Sequence, residues 1–585
     1  MFVARAFRET RSVRALVSGG GTALFLTFAV TGTTFAQAVA QGAGQVAPPT
    51  SPIERAVPVP TPQAVPPLLP TPAPGAPEVP PGPPVAIQSV VVQGATAYPE
   101  SELKPYYAGL VGQSVPLAQI SSVLQQIQSK YRNDGYVLTV VRGAIEPGTG
   151  GSTLRIRVVE GFISDVKIDG DIGPAGVLVF NFLNKLTTIR PVNISDIERA
   201  LLLAQDIPGV SVRAVLRPGT GEAGAVELVG QVGRKAFGGY VQYDNRASNF
   251  AGPNELLVGA QANSFTSAGE RTEVEIYDTP FTTEQLFGQG SIEGFVGSSG
   301  LKLRGYAGYG YSQPGGVLSA VDFHSRLTLA GVSASYPIIR TRPLSLYTSL
   351  AFDTEHAVTT ESGGTGLRNV SDLRVLRLSS TVDSQDQTLG TGLIGANTII
   401  LTAHEGLNGL GATSDARIGN RVDFFKLTGE ITRVQNLFSF GTNTVALKLS
   451  AGGQWTNDVL PPTEEYLLGG TRYGRGFFAG EVIGDNALGA TAELQLNTAI
   501  ERPLPLGLQP YIFYDNGQTW NVAPAGQPPD PSQRIESAGV GVRVTVTPQL
   551  SVDVEDAHRF TRTPTGAAVS REGADVIFVT VIARF

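Results

Sequence analysis

From about Arg234 to the terminal Phe585 the chain alternates apolar and polar residues at every second position, segment after segment. Leu256, Val258, Ala260 and Ala262 alternate with Leu257, Gly259, Gln261 and Asn263. Thr272, Val274 and Ile276 alternate with Arg271, Glu273, Glu275 and Tyr277, and Ala490, Ala492, Leu494 and Leu496 with Thr491, Glu493, Gln495 and Asn497. A period of two sends the two sets to opposite faces of a sheet. A soluble sandwich alternates in the same way, but one sandwich of this length is not expected. About 350 residues at roughly 20–24 per strand and connection make about sixteen strands, the size of a transmembrane antiparallel β-barrel with lipid outside and a wet lumen. Closure also removes the free strand edges that a bilayer does not tolerate. The last segment puts Ile577, Val579, Val581, Ala583 and Phe585 on one face.

Upstream the period changes. Leu117, Ile120, Val123, Leu124, Ile127 and Tyr131 fall at three- and four-residue steps, which predicts a helix over 116–134 with one apolar stripe, stopped by Gly135. Around it the pattern predicts strands at Ile87–Gln93, Val137–Val141 and Leu154–Val159 and a helix at Pro99–Leu110. The order repeats over 162–233. A strand at Val166–Ile168 precedes a helix at 174–186, then a helix capped by Ser195 with Glu198 completing a capping box. Strands at Val210–Leu216 and Ala225–Val232 end the unit. The expected fold class is thus a transmembrane antiparallel β-barrel of about sixteen strands preceded by two α+β units.

The N-terminus has its own order. Arg5, Arg8, Arg11 and Arg14 precede an apolar run with Leu24, Phe25, Leu26 and Phe28, and Ala36-Gln37-Ala38 offers a cleavage site. This predicts a secretory signal peptide at 1–38. Prolines crowd the next segment, which predicts an extended linker over 39–86. The expected domains are then 87–161, 162–233 and the barrel at 234–585. The chain has 585 residues, no Cys and a formal net charge of −7. Those counts exclude thiolate chemistry and argue against a nucleic-acid partner. His324, His356, His404 and His558 lie far apart without metal-ligand spacing. No nucleophile elbow, zinc-protease motif or phosphate-binding loop appears, so neither catalysis nor a cofactor or metal is expected.

The two units resemble POTRA domains, periplasmic modules of the Omp85 superfamily. The resemblance rests on Lys130-Tyr131-x-x-x-Gly135-Tyr136 and on Leu154-x-Ile156-x-Val158-x-Glu160-Gly161. In the barrel region, Gly469-Gly470-x-x-Tyr473-Gly474-Arg475-Gly476-Phe477 resembles the Arg-Gly-aromatic motif of a long loop folded into the lumen. Phe513-Tyr514-Asp515-Asn516-Gly517 resembles the F-x-D-x-G motif of a later strand. The resemblance implies that Arg475, with Gly476 and Phe477, pairs with Asp515, set between Phe513 and Gly517. Gly474 stands where many relatives carry an apolar branched residue and is expected to loosen the loop. A pair in a water-filled lumen would be worth ~0–1 kcal/mol, and more if desolvated, enough to set the loop's position without locking it. Two POTRA units and the Asp244-Asn245 pair point to the two-partner secretion transporters, the hemolysin secretion/activation proteins. Relatives often begin with a plug helix, and Val39–Ala56 shows no amphipathic pattern for one.

The resemblance implies an outer-membrane pore that exports a large partner exoprotein, with the POTRA units in the periplasm. A client-binding surface is expected between the helix bearing Ile120, Leu124 and Ile127 and the strand with Val137, Leu138 and Val140, by strand addition. The same apolar residues serve equally as core. Phe585 resembles the C-terminal signal read by the barrel-assembly machinery. The expected partners are the exoprotein, outer-membrane lipid and that machinery, for a monomeric chain. An Omp85 insertase is the alternative, and a solute porin a third reading. A porin needs no POTRA units, and insertases usually have more than two.

Overall fold

The computed structural model describes residues 83–247, 251–282, 284–315, 319–320, 322–362, 368–500, 506–563 and 574–585. The expected signal peptide, the segment considered for a plug helix and the proline-rich stretch up to residue 82 lie outside these residues.

The first unit contains β1 (Val85–Gln93), α1 (Glu100–Tyr107), β2 (Gln113–Val115), α2 (Leu117–Asn133), β3 (Val140–Glu146) and β4 (Ser152–Val159). Its sheet runs β2-β1-β4-β3, so β3 is an edge strand. The α2 stripe faces inward: Ile120, Val123, Ile127 and Tyr131 share a core with Leu154, Ile156 and Val158. The motif residues explain themselves as structure. Glu160 Oε1 accepts from Tyr131 Oη at 2.8 Å and from the Thr96 and Ala97 amides at 2.8 and 2.9 Å, tying the loop after β1 to α2. The strand expected at Val137 starts instead at Val140. Gly135 takes a left-handed φ of +93°, which turns the chain, and Val137 and Leu138 continue the turn.

The second unit contains β5 (Phe162–Asp169), α3 (Ala175–Asn184), α4 (Ile194–Gln205), β6 (Val210–Pro218) and β7 (Ala225–Arg234), with sheet order β5-β7-β6. Asn193, not Ser195, caps α4: its Oδ1 accepts from the Ser195 amide at 3.0 Å, and Asp196 rather than Glu198 closes the box. Asn and Ser cap equally well, and Asn193 has a second task that Ser195 lacks. Its Nδ2 donates to Asp134 O of the first unit at 2.8 Å. The two units abut closely because Gly135 and Gly161 carry no Cβ. A methyl there would stand 2.5 Å from Asn193 Oδ1 and 2.4 Å from Leu138 Cβ, respectively.

The barrel opens with β8 (Phe237–Asp244), β9 (Glu255–Asn263), β10 (Arg271–Asp278), β11 (Gln285–Phe295), β12 (Lys302–Ser312) and β13 (Phe323–Arg340). It continues with β14 (Leu344–Glu361), β15 (Arg368–Asp386), β16 (Gly395–Gly406), the two-residue β17 (Thr413–Ser414), β18 (Phe425–Phe440) and β19 (Asn443–Thr456). A ribbon of β20 (Tyr466–Leu468) and β21 (Val482–Gly484) stands apart from the wall. The wall then resumes as β22 (Asn486–Ile500), β23 (Leu506–Trp520), β24 (Gln533–Thr547), β25 (Leu550–Thr563) and β26 (Asp575–Arg584). Sixteen long antiparallel strands close through β26 and β8, and β17 only adds to the end of β15. The alternation sorts as the period requires. Ile276, Ile292, Leu303, Val332, Leu350 and Leu401 lie exposed on the outer wall, while Glu275, Asp353, Glu493 and Glu555 are buried toward the lumen. No helix of the described residues is long and apolar enough to cross a membrane.

The second unit docks beneath one side of the wall. Asp206, at the end of α4, accepts from Arg340 Nε and Nη2 at 2.9 and 2.6 Å and from Tyr347 Oη at 3.3 Å. Arg199 Nη2 donates to Pro337 O at 3.0 Å, and Phe182 meets Phe295 edge-on at 5.6 Å. If the unit is periplasmic, as the resemblance implies, so is that end of the barrel.

Candidate functional site: a loop lodged in the lumen

The connection between β19 and β22 folds back into the barrel as the β20–β21 ribbon, with Tyr466 opposite Gly484 and Leu468 opposite Val482. Gly469 and Gly470 at the ribbon's tip take φ of +98° and +81°, a region closed to most side chains. The tip folds on itself, with Gly469 N–H to Tyr473 O at 2.7 Å and Gly470 N–H to Phe477 O at 2.9 Å. Gly474 does not loosen it. The residue takes φ +80°, and a methyl there would stand 2.3 Å from Ile535 Cδ1. Ile535 on β24 fills the space that a branched residue would take, so the departure is compensated across the lumen.

Arg475 projects from this tip into a buried ionic network. Its backbone N–H donates to Asp515 Oδ2 at 2.7 Å, and Nε and Nη2 reach Asp515 Oδ2 and Oδ1 at 3.1 and 3.2 Å. Nη1 bonds Glu493 and lies 3.6 Å from Glu555 Oε2, and Nη2 donates to Thr491 Oγ1 at 3.1 Å. The guanidinium lies 3.8 Å over the Phe513 ring. Arg543 holds the far side of Glu493 at 2.6 Å and Asp553 at 3.1 Å, while Arg246 takes Glu555 at 2.9 Å. The pair is a buried one, the desolvated case: Asp515 is 0 % exposed and Arg475 8 %. That changes the magnitude, because removing one partner of a buried pair costs about 3–5 kcal/mol where a solvated pair contributes about 0–1.

The other motif residues each make room or contact for the tip. Phe513, Asp515 and Gly517 point inward from β23 at successive alternate positions. Phe513 lies under the guanidinium, and Gly517 leaves space for Leu468, whose Cδ1 would be 2.8 Å from a methyl. Gly476 N–H donates to Ser537 Oγ at 3.2 Å and its carbonyl accepts from Arg559 Nε at 2.5 Å. Phe477 packs with Leu468, Tyr473, Val482 and Ile535. A cavity of about 480 Å³ lies on the periplasmic side of the tip, with Lys448, Gln495, Gln509, Arg543 and Asp553 in its walls.

Glu493, Glu555, Arg246 and Arg543 were missed as loop partners by the sequence reading. Their only signal was that they are charged residues at lumen-facing positions; which of many such residues meet is set by register. A second hold, at the loop's near end, was equally hidden. Glu464 bonds Lys426 Nζ at 2.6 Å and Arg377 Nη2 at 2.9 Å. Asn245 closes the barrel seam. Its Nδ2 donates to Ile577 O at 3.0 Å and its Oδ1 accepts from Val579 N–H at 2.8 Å, one rung beyond the β8–β26 ladder. Phe585 is 62 % exposed on the outer wall, and its backbone pairs with Gly239.

Of the residues named for client binding, Ile120 and Ile127 are core, 4 % and 0 % exposed. Leu124 is only partly buried against that core, and Leu138 packs on the core of the second unit. Val137 lies in the turn, while Val140, 40 % exposed, opens the free edge strand β3. The Val141 N–H points away from β4 and is held only at 3.5 Å by Gln128 Oε1 of α2.

Residues 85–161 match the ShlB-type POTRA domain, and residues 370–544 match the haemolysin secretion/activation protein family ShlB/FhaC/HecB. The heme/hemopexin transporter protein HuxB of Haemophilus influenzae is 21 % identical over 490 residues, covering 78 % of this chain and 82 % of the relative. Among solved structures, CdiB from Escherichia coli superposes with a TM-score of 0.68 at 18 % identity, over 91 % of this chain and 94 % of that one. CdiB from Acinetobacter baumannii gives 0.59 at 14 % identity, over 98 % and 100 %.

Proposed function

We propose that the chain is a two-partner secretion transporter of the Omp85 superfamily and that it moves a partner exoprotein from the periplasm to the cell surface. The client adds as a strand to the free edge of β3. There the weakly held Val141 N–H and the exposed Val140 offer a backbone partner and an apolar contact. It then enters the cavity beneath the loop tip and threads the barrel once the tip swings aside. Folding outside removes the threaded state and draws the equilibrium forward by mass action. Lipid surrounds the outer wall, the assembly machinery reads Phe585 during biogenesis, and one chain suffices for one pore.

The observation that carries this reading is the Arg475 network, which sets a movable segment across the lumen and fixes it to β22, β23 and β25. A guanidinium forked on a carboxylate fixes orientation as well as position. Losing ~3–5 kcal/mol at that point shifts the loop's resting equilibrium more than a hundredfold. Arg475→Ala and Asp515→Ala are therefore expected to cut export of a co-expressed exoprotein at least tenfold, scored as protein in the medium against protein trapped in the periplasm. Normal export by both variants would remove the role assigned to the pair. Barrel assembly is scored in parallel by heat-modifiable migration on gels.

A further inference from the structure

The outer end of the lumen loop is held by a different residue. Asp485, the last residue before β22, is 0 % exposed. Its Oδ1 accepts from Arg417 Nη1 at 2.6 Å and the Leu460 amide at 2.9 Å, and its Oδ2 from Arg417 Nη2 at 3.0 Å and the Val522 amide at 2.8 Å. These donors come from three separate connections: that between β16 and β18, the lumen loop itself, and that between β23 and β24. All three leave the barrel at the end opposite the periplasmic units. Further contacts knit the same segments together. The Arg421 amide donates to Val459 O at 3.0 Å, the Asp485 amide to Asn521 Oδ1 at 3.2 Å, and Arg417 Nη1 to Glu465 Oε1 at 2.9 Å.

We propose that Arg417 and Asp485 form an outer clasp that gathers these three connections over the exit of the lumen, and that the clasp parts before a client leaves. The inference rests on the export reading above and adds a second positioning pair to it. Four donors occupy both oxygens of the carboxylate, so the site is filled by protein and not left for an ion. The forked guanidinium–carboxylate geometry holds orientation, which a lysine does not reproduce. Asp485 is buried, and removing the guanidinium from a buried carboxylate is costly, so the resting state is the closed one. The same loop carries Arg475 ten residues earlier, and the two holds therefore act in series along one segment.

The test uses the full-length chain. In planar bilayers, Arg417→Ala is expected to stay open several-fold more of the time than the wild type; an unchanged open fraction overturns the clasp. The chain has no Cys, so Gly419→Cys with Pro524→Cys provides a clean cross-link between two of the gathered connections. A methyl on Gly419 would stand 3.1 Å from Pro524 Cβ, so a disulfide, with its Cβ atoms about 3.5–4.5 Å apart, needs the two connections to part by only a few tenths of an ångström. Oxidised, this variant is expected to export several-fold less exoprotein than after reduction. Equal export in both states overturns the clasp and leaves the export reading standing. If the wild type exports no exoprotein, the export reading falls, and the bilayer currents still decide the clasp.

Discussion

At the residue scale the site depends as much on missing side chains as on charged ones. Tyr473 can lie in the lumen because Gly489 and Gly452 leave room; methyls there would stand 2.6 Å from its ring and 2.4 Å from its hydroxyl. Gly474 is the sharpest case. Gly474→Val forces a β-branched residue to a left-handed backbone, about 1–2 kcal/mol, and drives it into Ile535. The expected result is a displaced tip and a several-fold rise in resting conductance across a planar bilayer; currents at the wild-type level would show that the tip tolerates the residue. In the first periplasmic unit, Glu160→Ala strands the buried Tyr131 hydroxyl at about 1–3 kcal/mol and releases the loop after β1. Limited proteolysis of the intact chain should then cut within 85–161 several-fold faster. The Tyr98 hydroxyl, and after it Lys130, hold the Asp134 carboxyl below its ordinary range. A depressed carboxylate contributes above its unfolded pKa and loses that contribution as pH falls through the folded value. Hydrogen exchange at the end of α2 should therefore accelerate only in acid below the usual carboxylate range.

At the element scale, the edge strand and the loop are the parts with somewhere to go. β3 has a ladder partner only in β4, and α2 runs beside its free side. Gly143 lies where a methyl would meet Leu124 Cδ1 at 2.7 Å, so Gly143→Val fills the groove between them. Capture of an exoprotein fragment by the purified full chain is expected to fall several-fold, measured by cross-linking yield, while the barrel remains heat-modifiable. Undiminished capture would move the client to another surface. The loop is anchored at its near end and at its tip by side chains from β15, β18, β22, β23 and β25, and at its far end by Arg417 of the β16–β18 connection. Moving it means breaking ionic contacts at Arg377, Lys426 and Arg475 rather than bending one hinge.

At the scale of the whole molecule, the barrel was legible because its signal repeats: every strand restates the same period of two, and lipid enforces it. Helix α2 was legible for the same reason at a period of 3.6. Boundaries set by a single local choice were not. Asn193 and Ser195 are equivalent caps by propensity, and only the contact with Asp134 decides between them. Val137 and Leu138 have strand-forming side chains, but Gly135 bends the backbone away before they can pair. The site was legible as far as its motifs reached. Arg475 and Asp515 lie in separate motifs that resemble a family pattern, whereas Glu493 and Glu555 carry no motif and reach Arg475 through strand register alone. Docking of the second unit was hidden too, since Asp206 and Arg340 are 134 residues apart. Asp206→Ala leaves a half-buried guanidinium without its fork, a loss of about 1–3 kcal/mol, and faster hydrogen exchange along α4 is the expected readout.

That docking also makes the doorway one-sided. The unit stands under the turns near Asn263, Phe295 and Arg340, whereas the cavity below the tip is walled by β19, β22–β26 and β8. On the proposed route, a bulky ligand fastened near Lys448 or Arg543 is expected to shut the entrance, whereas the same bulk fastened to the far flank of the second unit is expected to leave export undisturbed.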